Sequence, residues 1–462
     1  MISFHLLTYT CCTTVVPEVG RHCQQQQSQD LQTYPALPIT EAVAVPATFK
    51  HQHGKLVAAL ACSVSRTWAK QRGQRAAGFA AAAALAAAAS YALYKVYTRQ
   101  QLLPLAGTSS RRQQLPPPVE SVMGAIGNTP LIRIASLSER KQAARSWAKA
   151  EFLNPGGSVK DRVALRIVQE ALSSGRLQPG GLITEGTAGS TGVSLAMVAA
   201  AVGCRCFIAM PDDAAIEKAQ LLQALGAEVV RLRPVSITHP EHPVNVARRK
   251  AADTPGAVFA DQFENLANYR AHLGTGREIW QQTRGTLHAF VSGAGTGGTI
   301  AGVSQALKDL NPSIQIVLAD PQGSSLFNKV KRGVLYTWHE AEGKRLKNPF
   351  DTITEGVGLN RLTANFAAGV VDDAVRVSDS EAVEMAAHLL RNDGLFLGSS
   401  AAVNCVGAVK AARALGPGHT IVTVLCDGGA RHLSKFHNPA YLRQYDLTPA
   451  ATGRRLDFVR EA

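Results

Sequence analysis

"GLITEGTAGSTGVSLAMVAAAVGCRCFIAM", residues 181 to 210, passes from a short apolar run through a Gly-rich loop into a helix-length apolar segment and out into a second apolar run. Read as strand, loop, helix and strand, it sets a pattern that the flanking sequence continues. A helix around "IEKAQLLQALG" and a strand "AEVVRL" follow it. The second half repeats the theme with "LHAFVSG", a Gly-rich turn, a helix from about Gly298 to Leu310, "IQIVLAD" and, late in the chain, "TIVTVLCDGG". Strands alternating with helices specify an α/β fold with mostly parallel sheets covered by helices on both faces. Such sheets bind ligands at the carboxyl ends of their strands. Three loops hold that kind of position: "EGTAGSTG" at 185–192, "SGAGTGGT" at 292–299 and "LGSSAA" at 397–402.

Upstream, "EFLNPGGSVKDR" (151–162) opens a helix whose apolar residues Val163, Leu165, Ile167, Val168 and Leu172 recur until Gly175. Ser158 reads as its N-cap and Asp161 as the acid of a Ser-x-x-Asp box. Lys160 then falls in the first helical turn, where a cation costs about 0.3 to 1 kcal/mol relative to an acid because it faces the positive end of the helix dipole. A buried amine at such a place has its pKa lowered and becomes a neutral nucleophile and base. Gly293, Gly295 and Gly298 fit G-x-G-x-x-G, and Asp320 lies where a dinucleotide fold would place a ribose-binding carboxylate. NAD and a simpler phosphate cofactor both need what this loop offers, amide N–H groups at a helix N-terminus. A dinucleotide enzyme has no evident use for Lys160. A cofactor with one phosphate and one aldehyde, pyridoxal phosphate, uses both features.

With 46% hydrophobic and 18% charged residues, the 462-residue chain can bury a large core. Its formal charge of +14 is uneven: residues 1–119 carry +8 and the remaining 343 carry +6. No cluster of basic and aromatic residues marks the body, so nucleic acid is not an expected partner. Residues 42–119 contain no acid, which resembles an organelle-targeting leader. Within it, residues 76–97, "AAGFAAAAALAAAASYALYKVY", would form a helix of about 33 Å, long enough for a bilayer core of about 30 Å. Tyr91, Tyr94 and Tyr97 beside Lys95 and Arg99 resemble an interfacial belt, so membrane attachment through 76–97 is expected, the alternative being a presequence that never stays in a membrane. A Pro-ended linker closes the leader at residue 118. Cys204, Cys206, Cys405 and Cys426 lack the paired spacing of a zinc site and read as buried thiols, so no metal is expected.

"GNTPLIRI", "NPGGSVKDR", "SGAGTGGTIAG", "DQFENLAN", "TGREIW", "EGVG" and "GLFLGSSAA", spread over 122–435, resemble the cysteine synthase and cystathionine β-synthase group of fold-type II pyridoxal-phosphate enzymes. The leader and residues 326–363 further resemble a branch of membrane-associated mitochondrial cysteine synthases. The resemblance implies two parallel-sheet subdomains (119–270 and 271–445, then a tail, 446–462) with the cofactor between them, and a homodimer. It makes Lys160 the lysine bonded to the cofactor. Gly295, Thr296, Gly297, Gly298 and Thr299 hold the phosphate, and Ser400 faces the pyridine nitrogen. Thr187, Gly189, Thr191 and Gln262 grip the substrate carboxylate. Ala188 and Ser190 depart from the usual Thr-Ser-Gly-Asn-Thr-Gly: a hydroxyl is lost at 188, and at 190 the shorter serine replaces the asparagine that donates to the cofactor's 3′-oxygen. The implied reaction is β-replacement, O-acetylserine and sulfide giving cysteine and acetate. Its rivals are β-elimination from cysteine or serine, condensation of serine with homocysteine, and a non-catalytic, membrane-tethered cofactor carrier. The condensation is disfavoured because no haem-binding extension or further domain is visible. The implied location is the mitochondrial outer membrane, with a plastid as the alternative.

Overall fold

In chain order, strands β1 (Leu131–Arg133) and β2 (Arg145–Lys149) precede helix α1 (Lys160–Ser173). Then come β3 (Leu182–Gly186), α2 (Ser190–Ala201), β4 (Arg205–Pro211), α3 (Ile216–Ala224), β5 (Glu228–Leu232), α4 (Pro243–Ala252), β6 (Val258–Phe259) and α5 (Ala267–Thr283). The second half contributes β7 (Ala289–Ser292), α6 (Gly298–Leu310), β8 (Gln315–Pro321), α7 (Leu326–Arg332), α8 (Ala364–Ala367), β9 (Asp373–Val377), α9 (Asp379–Asp393), α10 (Ser399–Leu415), β10 (Thr420–Val424) and α11 (Pro439–Arg443). These come from a computed structural model that describes residues 117–138, 145–187, 189–336 and 352–461. The 76–97 segment, most of the linker, Ala188 and residues 337–351 lie outside the described residues.

Two sheets result. The smaller runs β5-β4-β3-β6, all parallel, and the larger runs β1-β2-β10-β7-β8-β9, parallel except for β1 against β2. All five residues of β3, "LITEG", are buried, as a strand covered on both faces requires. In the larger sheet alternation sorts side chains into two cores: Phe290, Ile316 and Val422 face one layer of helices, while Val291, Val317 and Ile421 face the other. At α9, Ser378 and Glu381 cap each other's backbone, a reciprocal arrangement that satisfies two otherwise orphaned N–H groups.

The sheets do not divide the chain as the linear boundaries at 119–270 and 271–445 anticipate. β1 and β2 belong to the larger sheet, with Ile421 opposite Ser146 and Val422 opposite Trp147. Pairing with β10 decides this. A strand's sheet is chosen by a partner about 275 residues away, which local pattern cannot reveal. Residues 446–461 likewise pack back, burying Leu456 and Val459 against the larger core.

The start of α1 also differs from expectation. Val159 occupies the N-cap without a side-chain cap, so the Ser158 and Asp161 box does not form. Ser158 instead bridges to Asp427, and the Asp161 carboxylate accepts from Gly156 N (2.5 Å) and Ser194 Oγ (2.5 Å), tying the "NPGG" turn to α2. One residue on, Arg162 joins Glu151 (2.7 Å) and Glu278 (2.6 Å), and Lys149 meets Glu278 (2.6 Å), a buried network that anchors both ends of the segment carrying Lys160. Removing one charge from such a network leaves its partner uncompensated, so the turn is held firmly.

Candidate active site

Lys160 is the first residue of α1 and projects into a cleft of about 1200 Å³. Burial lowers its pKa, while Cys426 and Asp427 act in the opposite direction. The sequence expectation for a lysine in the first turn is met in direction: desolvation favours the free amine.

Eleven of the twelve residues singled out from the sequence line this one cleft: Thr187, Gly189, Ser190 and Thr191 with Lys160 and Gln262, then Gly295, Thr296, Gly297 and Thr299, and Ser400. Gly298 does not line it and sits instead against Asn268 at the start of α6. The stretch 397–402, read as a loop, is already helical from Ser399, which puts Ser400 in the first turn of α10. All three Gly-rich stretches thus end as helix N-termini facing the cleft.

The 295–299 turn is built to leave amides open. Gly297 has φ +88° and precedes α6, whose first N–H groups have no partner within the helix. A Cβ at Gly295 would lie 2.0 Å from Gly356 O, so only glycine fits there. Thr296 Oγ1 accepts from Asn268 Nδ2 (2.7 Å), and Thr363 Oγ1 donates to Thr296 O (2.9 Å). Behind Thr299, His272 Nε2 lies 3.2 Å from Thr299 Oγ1, and burial, then Lys160 and Arg162, keep that imidazole well below its ordinary pKa and hence neutral. The Asn268 Oδ1 atom is buried without a partner. Open amides, two threonine hydroxyls and an amine in the same cleft are the donor set that a phosphate-bearing aldehyde requires.

The opposite wall is the substrate-type loop. Thr191 Oγ1 donates to Gln262 Oε1 (2.5 Å), and Gln262 Nε2 donates to Gly186 O (3.2 Å). Ser190 Oγ lies 3.5 Å from Asp427 Oδ2, so its hydroxyl has a protein partner in place of the one the resemblance assigned to an asparagine. Lys218 packs its stem on Gly189 and pairs with Glu355 across the cleft.

Several cleft residues escaped the sequence reading. Cys426 was expected to be a buried thiol, and it does pack against the core. It lines the cleft and hydrogen-bonds Ser400, with burial raising its pKa to about 11. Beside it, burial would raise the Asp427 carboxyl, but His432, Lys218 and Arg431 outweigh that and hold it at about 2. Glu355 is similar: burial pushes it up, yet Lys218, His432 and Lys435 leave it below the ordinary range. The end of "TIVTVLCDGG" was a usable signal, since it is the carboxyl end of a parallel strand. Nothing marked Lys218, one of two charges, with Glu217, on the short helix α3. Asp320 is fully buried and receives Phe327 N (2.7 Å), so it has no face for a ribose.

Residues 122–427 match the family model described as pyridoxal-phosphate dependent enzyme. A protein of Schizosaccharomyces pombe named cysteine synthase 2 is 51% identical over 353 residues, spanning 74% of this chain and 89% of its own length. A protein of Saccharomyces cerevisiae, provisionally named as a mitochondrial cysteine synthase, is 45% identical over 370 residues, covering 78% and 91%. Among solved structures, an O-acetylserine dependent cystathionine β-synthase from Helicobacter pylori superimposes with a TM-score of 0.61 at 30% identity, covering 69% of this chain and 99% of that one.

Proposed function

The chain belongs to the pyridoxal-phosphate dependent enzyme family, and from that premise we propose that it is a cysteine synthase, joining sulfide to O-acetyl-L-serine with release of acetate. The observation that carries this reading is a desolvated Lys160 amine in one cleft with a phosphate-type loop and a carboxylate-type loop. Pyridoxal phosphate, when bound, supplies an aldehyde that joins the amino acid and a ring that draws electron density from its α-carbon. The amides at the start of α6, with Thr296 and Thr299, would hold its phosphate, and Ser400 would face its ring nitrogen. A hydroxyl there, instead of an acid, keeps the ring a moderate electron sink, which suits chemistry at the β-carbon.

The chain's own groups do the rest. Thr187, Gly189, Thr191 and Gln262 hold the substrate carboxylate at the N-terminus of α2, which fixes the α-carbon relative to Lys160. Lys160 Nζ, whose pKa burial lowers, takes the α-proton as general base. The ammonium so formed is balanced by Asp427, whose carboxylate is ionised at every relevant pH. Loss of acetate and addition of hydrosulfide at the β-carbon complete the exchange, and Nζ returns the proton to the α-carbon. Product analysis with O-acetylserine plus sulfide, serine plus homocysteine, and cysteine alone tests the reading. Cysteine from the first pair is the expected outcome. Cystathionine from the second, or pyruvate from the third, as the dominant product would replace it.

The same reading places the enzyme in mitochondria as a homodimer, attached to the outer membrane through residues 76–97. Its support is the acid-free leader and the name of the yeast relative. Among the described residues no helix is long and apolar enough to cross a membrane, and 76–97 lie outside them. Full-length protein should stay with mitochondrial membranes through alkaline carbonate, since apolar burial is not screened by salt as surface charge is. A mature N-terminus beyond Tyr97 would remove the anchor.

A further inference from the structure

Asn404 lies on α10 one turn after Ser400, so the two side chains share a face of that helix. It is fully buried, and every polar atom of its amide is engaged. Nδ2 donates to Val424 O (2.8 Å) and to Cys426 Sγ (3.3 Å), and Oδ1 accepts from Gly293 N (2.6 Å). A buried amide is tolerated only with such partners, and their identities fix which way it faces. Val424 ends β10, and Gly293 directly follows β7, the neighbouring strand. Backbone pairing joins the two strands at Ile421 with Ala289 and Val422 with Phe290. Nearer the cleft side chains make the join: Thr423 Oγ1 donates to Val291 O (2.7 Å), and Asn404 spans the next step. The approach is close, since a Cβ on Gly293 would stand 3.2 Å from Asn404 Oδ1.

These bonds tie together two walls of the cleft that Asn404 itself does not line. Gly293 leads into the phosphate-type turn at 295–299, while Ser400 and Cys426 line the wall formed by the start of α10 and the exit of β10. Within pyridoxal phosphate the covalent skeleton limits how far the phosphate can lie from the ring nitrogen. Both ends therefore seat together only if the walls keep a matching spacing. With that spacing, the second end binds as though at high local concentration. A wall that drifts forfeits this advantage, although each end alone binds as before. Asn404 is bonded to Gly293 on one wall and shares a helix with Ser400 on the other.

We propose that Asn404 is a positioning residue for the cofactor, setting the spacing between the phosphate-type turn and the ring-nitrogen wall. This rests on the reading of 295–299 and Ser400 as the two ends of the pyridoxal-phosphate site. Leucine at 404 would fill a similar volume with neither bond, leaving Gly293 N and Val424 O unpaired. Stability falls in that case whatever the function of Asn404, so stability is not the readout.

The test compares the whole cofactor with its parts, on the complete chain freed of cofactor. Dissociation constants are measured for pyridoxal phosphate, for pyridoxal and for inorganic phosphate. The product of the last two divided by the first is the effective concentration of one end once the other is seated. In Asn404→Leu it should fall at least about tenfold, with pyridoxal and phosphate each binding within about threefold of wild type. Asn404→Asp keeps an acceptor for Gly293 N and loses the donation to Val424 O, so it should unfold at lower temperature yet keep most of the effective concentration. An unchanged effective concentration in Asn404→Leu, equal losses of pyridoxal and phosphate affinity, or as large a drop in Asn404→Asp overturns the proposal. If Asn404→Leu does not fold, hydrogen exchange on the wild type decides: the Gly293 amide should be protected before cofactor is added, and free exchange there overturns the proposal. A wild type that binds pyridoxal phosphate no more tightly than pyridoxal overturns the two-ended site itself, a result distinct from any change confined to the variants.

Discussion

The phosphate-type turn at 295–299 and the substrate-type loop at 187–191 have one local design, a buried parallel strand running into glycines and a helix N-terminus, yet they are held differently. Around 295–299 the neighbours are close-packed backbone and short polar side chains: Gly356 O behind Gly295, Asn268 and Thr363 on Thr296. Around 187–191 they are long side chains reaching from other elements: Lys218 across Gly189, Gln262 on Thr191, Asp427 beside Ser190. Backbone packing permits one arrangement, whereas long side chains can re-pair at modest cost. The contrast suits a permanent cofactor on one wall and an exchanging substrate on the other.

Removing the chemistry while sparing both walls gives the largest effect. Lys160→Ala should lower β-replacement by at least about 100-fold, the scale of one general base, while phosphate-loop affinity for the cofactor persists in part. Retention of near wild-type turnover would show that Lys160 is not the base. Gly295→Ala attacks the rigid wall. With the added carbon 2.0 Å from Gly356 O, the backbone must move, so cofactor retention should drop and the protein lose about 1 to 3 kcal/mol in denaturant titration. An unchanged midpoint and full cofactor occupancy would erase the contrast between the two loops.

Lys218→Met attacks the adjustable wall. KM for the amino acid should rise several-fold with cofactor retention intact, because Glu355 loses its nearest ion pair while methionine keeps an apolar stem against Gly189. Glu355 is held below the ordinary carboxyl range, so its contribution to stability is complete above about pH 4.5 and is lost as the pH falls through its folded pKa. Without Lys218 that acid-side loss should begin at higher pH, visible as a shift in thermal midpoints between pH 3 and 6. An unshifted acid limb would mean Lys435 and His432 alone fix Glu355.

The smallest effects belong to the two departures in the loop itself. Ala188→Ser should lower KM by the net worth of one hydrogen bond, about 0.5 to 1.5 kcal/mol, with kcat little changed. Ser190→Asn should act mainly on kcat, since the expected partner of that side chain is the cofactor. If both reduce activity with O-acetylserine, the loop is tuned for a different amino acid.

What the sequence determined by itself was whatever neighbouring residues decide. The alternation of apolar runs with helical segments specified the parallel α/β fold, and α6 begins and ends at the anticipated Gly298 and Leu310. Glycines followed by helix starts located the three loops, because open N–H groups at a helix start are a property of a few consecutive residues. The odd placement of one cation pointed to Lys160. Tertiary structure alone decided the rest, each feature turning on a partner distant in the chain. β1 and β2 joined the larger sheet through β10, Asp161 left the helix cap for Ser194, and Cys426, packed against the core as expected, also came to line the cleft. Glu355, paired with Lys218, is a charge in the interior whose ionisation depends on desolvation and on neighbours from separate elements. Burial and pairing are properties of the folded surface, and no spacing in the chain encodes them.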